Sequence, residues 1–205
     1  MIAVRRLWGM GMGNQISAAE YRAVPLRVHT LLADVPLHDV WAVDLPSRDG
    51  VTLDKRRRTL SPDGLIGRLP PPARALFRLR FFLGRVLRLE EQPKGAGAAS
   101  FAKRLTADER VRSSPAPGTP DGLFRVVYGF ENELLLEVQN RTVHAALLTA
   151  LAKTAVGYRF YLAVYVCKSG WITPVYMALI DPFRRWIIYP AILKRIRAMW
   201  EATTE

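Results

Sequence analysis

The sequence predicts a single α+β domain in which an antiparallel sheet packs against a C-terminal helix. Two observations lead to this class. Residues 124–168 divide into short apolar runs separated by turn-forming residues, as successive strands do. Residues 188–200 repeat their apolar side chains at the spacing of one helix face, with lysine and arginine on the other face. A sheet with apolar faces needs such a helix as a cover.

The N-terminal part predicts a tail, a helix and a strand. Residues 1–16 have the composition of a flexible tail. Ser17, with Glu20 three residues later, has the spacing of a capping box and predicts a helix over about 18–34. The run HDVWAVDLP at 38–46 predicts the first strand, because a proline and turn-forming residues end it.

The middle of the chain predicts a basic helix followed by a loop-rich insertion. Residues 70–91 start with prolines and then place arginines on one face and leucines on the other. Arg80 falls on the apolar face, where it needs a partner or a path to solvent. Residues 92–121 are rich in Gly, Ala, Ser and Pro, and leave room for one short polar helix. We therefore expect one domain over 17–205 that contains this insertion.

Four successive strands are predicted after the insertion. Their ranges are 124–131, 133–140, 142–154 and 157–168. The second alternates between apolar and polar side chains, whereas the last two are apolar on both faces. An antiparallel sheet normally keeps one face in water. The last two strands are therefore either central and covered on both sides, or they line an internal cavity.

The stretch YMALIDPFRRWIIYPAILKRI at 176–196 predicts the closing helix. Asp181 and Pro182 are good first residues for a helix, and Pro190 should kink or divide it. Arg185 projects to the apolar side. No stretch of the chain reaches the roughly 18 apolar residues of a membrane span. A helix packed on the sheet is the favoured interpretation, and a helix lying on a membrane surface has the same pattern.

The composition narrows the classes of partner. The formal net charge of +12 favours an acidic partner or indicates a basic solvated surface. No nucleic-acid-binding motif accompanies the basic clusters, so sequence-specific nucleic-acid binding is not expected.

The lone Cys167 excludes an intramolecular disulfide, and the three histidines lack metal-site spacing, so we expect no metal and no cofactor. Without a signal-peptide pattern, the expected location is the cytoplasm, with the membrane surface as the alternative.

Four stretches of the chain together resemble a known family. They are YRAVPLRVHTLLADVPLHDVWAVDLP, LFRLRFFLGRVLRL, GFENELLLEVQNRTVHAALLTA and YMALIDPFRRWIIYPAILKRI. In order and spacing, from about Tyr21 to Trp200, they resemble the uncharacterised bacterial domain-of-unknown-function family numbered 2867. That family is similar to polyketide cyclases and START-type lipid-binding domains (the SRPBCC class). The resemblance implies a helix-grip fold, a curved antiparallel sheet around a C-terminal helix with a ligand cavity between them. It implies no active site.

Polar groups on apolar faces are the candidate ligand anchors if such a cavity exists. Arg80 and Arg185 could hold a carboxylate or phosphate by bidentate hydrogen bonds. Their alternative is a buried ion pair with one of the acidic residues Asp39, Asp44, Glu133 or Glu137. Tyr128, Tyr161 and Tyr165 could offer hydroxyls to a ketone or enol, or simply pack in the core.

A histidine completes the set of candidates. His144 could act as an acid or base, although no motif ties another catalytic group to it. The pair His38-Asp39 resembles the start of a metal phosphohydrolase signature, but the further histidines are missing, so we set that function aside.

The sequence thus predicts a binder of a small hydrophobic or amphipathic ligand, held between the sheet and the C-terminal helix. One alternative is a cyclase- or hydratase-like enzyme that uses the same cavity. The other is a peripheral protein whose basic helices contact an anionic membrane surface. No catalytic signature decides whether the protein is an enzyme.

Overall fold

The computed structural model describes residues 14–47, 100–122, 124–139, 144–167, 178 and 181–202. In these ranges seven antiparallel strands form one open, curved sheet in the order β1-β2-β7-β6-β5-β4-β3. The strands are β1 Asn14–Gln15, β2 Leu37–Pro46, β3 Pro120–Asp121, β4 Phe124–Gly129, β5 Glu133–Gln139, β6 His144–Thr154 and β7 Gly157–Cys167. The α+β class is therefore confirmed.

Short helices precede and follow these strands. They are α1 Ala18–Arg22, α2 Val28–Leu31, a 3₁₀ helix Phe101–Arg104, α3 Ala107–Arg112, a π-helical turn Arg184–Ile188 and α4 Tyr189–Ala202. No helix in the described ranges has both the length and the apolar character that a bilayer crossing requires. The predicted tail 1–16 is wrong at its end, because Asn14–Gln15 form β1 and pair with β2. Its residues 1–13 and the predicted helix 70–91, with Arg80, lie outside the described residues.

The predicted N-terminal helix is wrong in its length. The Ser17 cap is present, since its Oγ accepts the N–H of Glu20 at 3.1 Å. The helix nevertheless ends at Arg22, and α2 begins only at Val28. Pro25 lies between them, and it both lacks an N–H and disfavours helical geometry in the residue before it. The carboxylate of Glu20 pairs with Arg159 of β7 rather than closing a capping box.

The closing helix is divided next to Pro190, as its sequence predicts. The π turn ends at Ile188, and Pro190 is the second residue of α4. In the loop-rich segment, α3 is the short polar helix that the composition allowed. Thr106 and Glu109 close a capping box at its start.

One side of the sheet, called here the helix face, packs against α4. Its core contains Leu136, Phe160 and Leu162 from the strands, and Leu193, Ile196 and Trp200 from the helix. Trp200 is fully buried, and its indole N–H donates to the carbonyl of Pro46 at 3.0 Å. The closing helix is thus anchored to the end of β2 at its far end from the π turn.

The opposite side, called here the N-terminal face, packs against α1, α2 and the 3₁₀ helix. Tyr21, Val28 and Phe101 are the fully or almost fully buried side chains of this cover. The strands β6 and β7 are central, and each is covered on both sides. Their apolar faces are therefore explained by their central position under two covers, the first of the two explanations that the sequence offered.

Candidate ligand-binding site

The five described side chains among those predicted as ligand anchors do not share one face of the sheet. Tyr128, His144, Tyr161 and Tyr165 lie on or beside the N-terminal face, whereas Arg185 lies in the π turn next to the helix face. Arg80 is outside the described residues. The expectation that these groups share one cavity between the sheet and the C-terminal helix is therefore corrected. Strand alternation put the tyrosines of β7 on one face, but it could not say which face α4 covers.

Two of the tyrosines take part in a buried hydrogen-bond network on the N-terminal face. The hydroxyl of Tyr128 donates to Glu133 Oε2 at 2.8 Å, and the hydroxyl of Tyr165 donates to that of Tyr21 at 3.2 Å. The backbone N–H of Arg27 donates to Glu133 Oε1 at 2.8 Å. Burial raises the pKa of Glu133, although these hydrogen bonds oppose the effect. Glu133 therefore fastens the start of α2 to the sheet.

Tyr161 lies beside this network. Its side chain is buried, and its ring centroid is 6.0 Å from that of Tyr21. Burial raises the pKa of its hydroxyl, so the group stays protonated at neutral pH.

His144 belongs to a second buried group on the same face. Its Nε2 lies 3.3 Å from Glu137 Oε2, and its ring stacks on Phe101 with the centroids 4.0 Å apart. Glu137 also accepts the backbone N–H of Phe101 at 2.9 Å and the hydroxyl of Ser100. Burial alone would raise the pKa of Glu137, but the hydrogen bonds from His144, Ser100 and Phe101 outweigh it and lower the pKa. The carboxylate thus caps the 3₁₀ helix, and His144 supports it.

A different polar cluster lies on the helix face, where β2 meets the π turn. Asp39 is fully buried there, and its Oδ1 accepts the hydroxyl of Tyr189 at 3.2 Å. Arg184 reaches the same oxygen at 3.4 Å and Asp181 Oδ1 at 3.0 Å, and it also donates to the Tyr189 hydroxyl. His38 Nε2 lies 2.9 Å from Asp181 Oδ2. These contacts tie the beginning of β2 to the first turn of the closing helix.

Three atoms of this region are buried and have no hydrogen-bond partner among the described residues. They are Asp39 Oδ2, Trp41 Nε1 and Arg185 Nε. Leaving such a group unsatisfied costs roughly 1–3 kcal/mol, so each calls for an explanation. Asp39 and Trp41 are two residues apart on β2, and their side chains therefore leave the same face of the sheet. The ring of Trp41 lies 5.3 Å from that of Tyr189.

Opposing influences act on the pKa of the buried carboxyl of Asp39. Burial raises its pKa, and the positive charge of Arg184 and the position of His38 offset only part of that effect. Burial also raises the pKa of the Tyr189 hydroxyl, despite the neighbouring guanidinium. The site therefore presents a buried carboxyl and a buried hydroxyl beside the guanidinium of Arg184.

A metal ion fits this arrangement poorly. His38, Asp39 and Asp181 each offer one ligand atom, and these atoms lie within 4.8 Å of one another. The guanidinium of Arg184, however, already bridges the two carboxylates. A divalent cation would have to displace this buried positive charge or meet its repulsion.

Sequence reasoning missed most of these residues. It treated Asp181 as a helix cap and set His38 and Asp39 aside, and Trp41 and Arg184 received no attention. Their shared signal is a polar or charged side chain within an otherwise apolar stretch, the same signal that selected Arg185. Because 142 residues separate Asp39 from Asp181 along the chain, nothing in the local pattern joins them.

Comparison with known proteins gives one match. A family model described as a protein of unknown function (DUF2867) matches residues 31–191, a range that contains every residue of the polar cluster on the helix face. No curated protein and no solved structure matches the chain. The match covers well over half of the chain and agrees with the resemblance seen in the sequence. The chain belongs to the DUF2867 family.

Proposed function

We propose that the protein binds a small amphipathic ligand between the helix face and the beginning of the C-terminal helix, in a helix-grip arrangement. The observation that carries the proposal is the pair of buried atoms, Asp39 Oδ2 and Trp41 Nε1, without partners among the described residues. Asp39 Oδ2 accepts a hydrogen bond, or donates one when the carboxyl is protonated, and Trp41 Nε1 carries a hydrogen and donates. Binding pockets typically combine a few such groups with apolar walls.

The chemistry of the pair narrows the ligand class. Trp41 needs a ligand oxygen that accepts its N–H, and Asp39 suits a hydroxyl. The apolar contacts would come from Trp41, Tyr189 and the strand residues opposite them, Leu162 and Val164. A ligand carboxylate would meet the acidic side chains of Asp39 and Asp181, and a ligand ammonium would meet the guanidinium of Arg184. These repulsions favour an uncharged compound with an alcohol or hydroxycarbonyl group.

Native mass spectrometry of the purified protein, followed by denaturation and extraction, tests the proposal. Trp41→Phe keeps the ring and removes the N–H, and Tyr165→Phe is the matched control on the opposite face. We expect a co-purifying neutral compound in the wild type and in the control, with clearly lower occupancy in Trp41→Phe. Equal occupancy in all three proteins would place the compound elsewhere.

A defined probe covers the case in which the ligand is lost during purification. Ligand-observed NMR compares 1-octanol with octanoate and octylammonium on the same protein. We expect octanol to be preferred, and Trp41→Phe to weaken its binding by about fivefold to tenfold, the effect of one net hydrogen bond of ~1 kcal/mol. No preference among the three probes would contradict the proposed ligand class.

A reaction on the bound ligand is the second candidate function. The raised pKa of Asp39, inside a mostly apolar layer and next to the Tyr189 hydroxyl, is typical of acid–base groups. Asp39→Asn separates the two functions, because it keeps the shape but cannot transfer a proton. A pure binder would keep most of its affinity in this variant, whereas an enzyme would keep binding and lose turnover.

A further inference from the structure

Two large aromatic side chains are exposed on the outer side of the π turn. Trp186 is 80% exposed and Phe183 is 42% exposed. Phe183 comes directly before the π turn and Trp186 lies inside it, and both side chains are in contact with solvent. Burying side chains of this kind is favourable, and large aromatic side chains left in water are characteristic of an interaction surface.

The exposed line continues along α4. Pro190 and Lys194 follow Trp186 at helical spacing, and both are exposed. Residues 181–202 contain five basic and two acidic side chains. Both acidic side chains are occupied, Asp181 by His38 and Arg184, and Glu201 by Arg197. Of the basic side chains, Lys194 is exposed, whereas Arg184 points inward and Arg197 pairs with Glu201. The outer surface of this segment therefore combines exposed aromatic rings with the positive charge of Lys194.

The combination selects one kind of partner. Tryptophan and phenylalanine are favourable in the headgroup region of a bilayer, and nearby lysine and arginine attract anionic lipid. The net charge of +12 for the whole chain adds a long-range attraction to such a surface. A nucleic acid would meet the same charge, but the aromatic rings lie along a convex helix rather than in a groove that could hold bases.

We propose that the outer surface of the π turn and α4, formed by Phe183, Trp186 and Lys194, docks on an anionic membrane surface. In this orientation the two rings enter the headgroup region and Lys194 reaches the lipid phosphates. Arg184, between the two aromatic residues in sequence, points inward to Asp39 and Asp181. Docking thus brings the polar cluster of the helix face within one helical turn of the lipid. The docking surface itself does not depend on the ligand proposed above.

Co-sedimentation of the full chain with vesicles tests the docking surface. One set of vesicles is phosphatidylcholine alone, and the other contains about 30 mol% phosphatidylserine. We expect the protein to pellet with the anionic vesicles at low salt, and to do so at least about tenfold less when the salt is raised to ~0.5 M. It should pellet weakly with phosphatidylcholine alone.

The matched variants separate this surface from general charge attraction. The double variant Phe183→Ser/Trp186→Ser should lower partitioning by at least about fivefold, while keeping the circular dichroism spectrum and melting temperature of the wild type. Val156→Ser removes another exposed apolar side chain, 82% exposed in the β6–β7 turn, and should leave partitioning unchanged.

Three outcomes would overturn the proposal. The first is no pelleting at low salt. The second is equal pelleting of the double variant and the Val156→Ser control, which would reduce the effect to net charge. The third concerns a single-stranded oligonucleotide. If the double variant loses as much binding to the oligonucleotide as it loses to vesicles, the aromatic pair belongs to a nucleic-acid-binding surface.

Discussion

Replacing Glu137 by glutamine tests whether the buried carboxylates of β5 hold the cover of the N-terminal face. Glu137 accepts hydrogen bonds from Ser100, from the backbone N–H of Phe101 and from His144. Glutamine keeps one acceptor oxygen and turns an N–H₂ toward the remaining donors. One or two charge-assisted hydrogen bonds, worth about 1.5–3 kcal/mol each, are lost. We therefore expect the free energy of unfolding to fall by about 2–4 kcal/mol at pH 7.

The size of this effect should depend on pH. The pKa of Glu137 in the folded protein is lower than the ordinary value of 4.5. Its ionised form therefore stabilises the fold above that value, and the contribution disappears as the pH falls through the folded pKa. Glu137→Gln should accordingly cost less at acidic pH than at pH 7.

Urea denaturation, followed by circular dichroism, measures both quantities. Glu201→Gln is the matched control, because its carboxylate pairs with Arg197 at the surface and should contribute less than about 1 kcal/mol. A cost for Glu137→Gln no larger than that of Glu201→Gln at pH 7 would refute the capping role. A cost that stayed constant down to pH 4 would refute the role of the ionised form.

Five further substitutions have expected outcomes that the same denaturation assay checks. Glu133→Gln should show the opposite pH trend from Glu137→Gln. Because the folded pKa of Glu133 is raised, the wild type loses stability as the pH rises above the ordinary value of 4.5. The difference in the free energy of unfolding between wild type and Glu133→Gln should therefore shift in favour of the variant at high pH. Gly157→Ala should cost about 2–4 kcal/mol, because its φ is +151° and a Cβ there would lie 2.3 Å from a backbone carbonyl oxygen of β2. Gly118→Ala, with a φ of +87° but open space around it, should cost only about 1 kcal/mol. Trp200→Phe should cost about 1–3 kcal/mol for a lost hydrogen bond and lost packing, whereas the exposed Trp186→Phe should stay within about 0.5 kcal/mol. Equal losses within either the glycine pair or the tryptophan pair would contradict the packing argument.

Local patterns predicted the strands well. Alternation and turn-forming residues placed β2 and β4–β7 within two residues of their observed ends. The N-terminal helix was placed correctly at its start, where Ser17 caps it, but not at its end. There the local cost of Pro25 outweighed the helical pattern around it.

The candidate site could not be predicted in the same way. Alternation in β7 showed that Tyr161 and Tyr165 share a face, but the choice of cover for that face depends on long-range packing. Alternation in β5 predicts that Glu133 and Glu137 face solvent. They are buried instead, because their carboxylates accept hydrogen bonds from backbone N–H groups at the starts of two covering helices. Such pairings join residues 36 to 106 positions apart, and no local pattern contains them.

The π turn makes the chain sensitive to its exact length at one place. An α-helix advances by about 100° per residue, so the extra residue of a π turn rotates everything before it relative to everything after it. In residues 184–188 this rotation lets Arg184 face the sheet and Trp186 face outward while α4 keeps its own apolar stripe on the core. A relative one residue shorter here could keep a well-packed α4 and still present different side chains on both sides of the turn. In family alignments, a single-residue gap at this position would therefore mark a change in the side chains that face the sheet and the solvent, rather than a neutral loop variation.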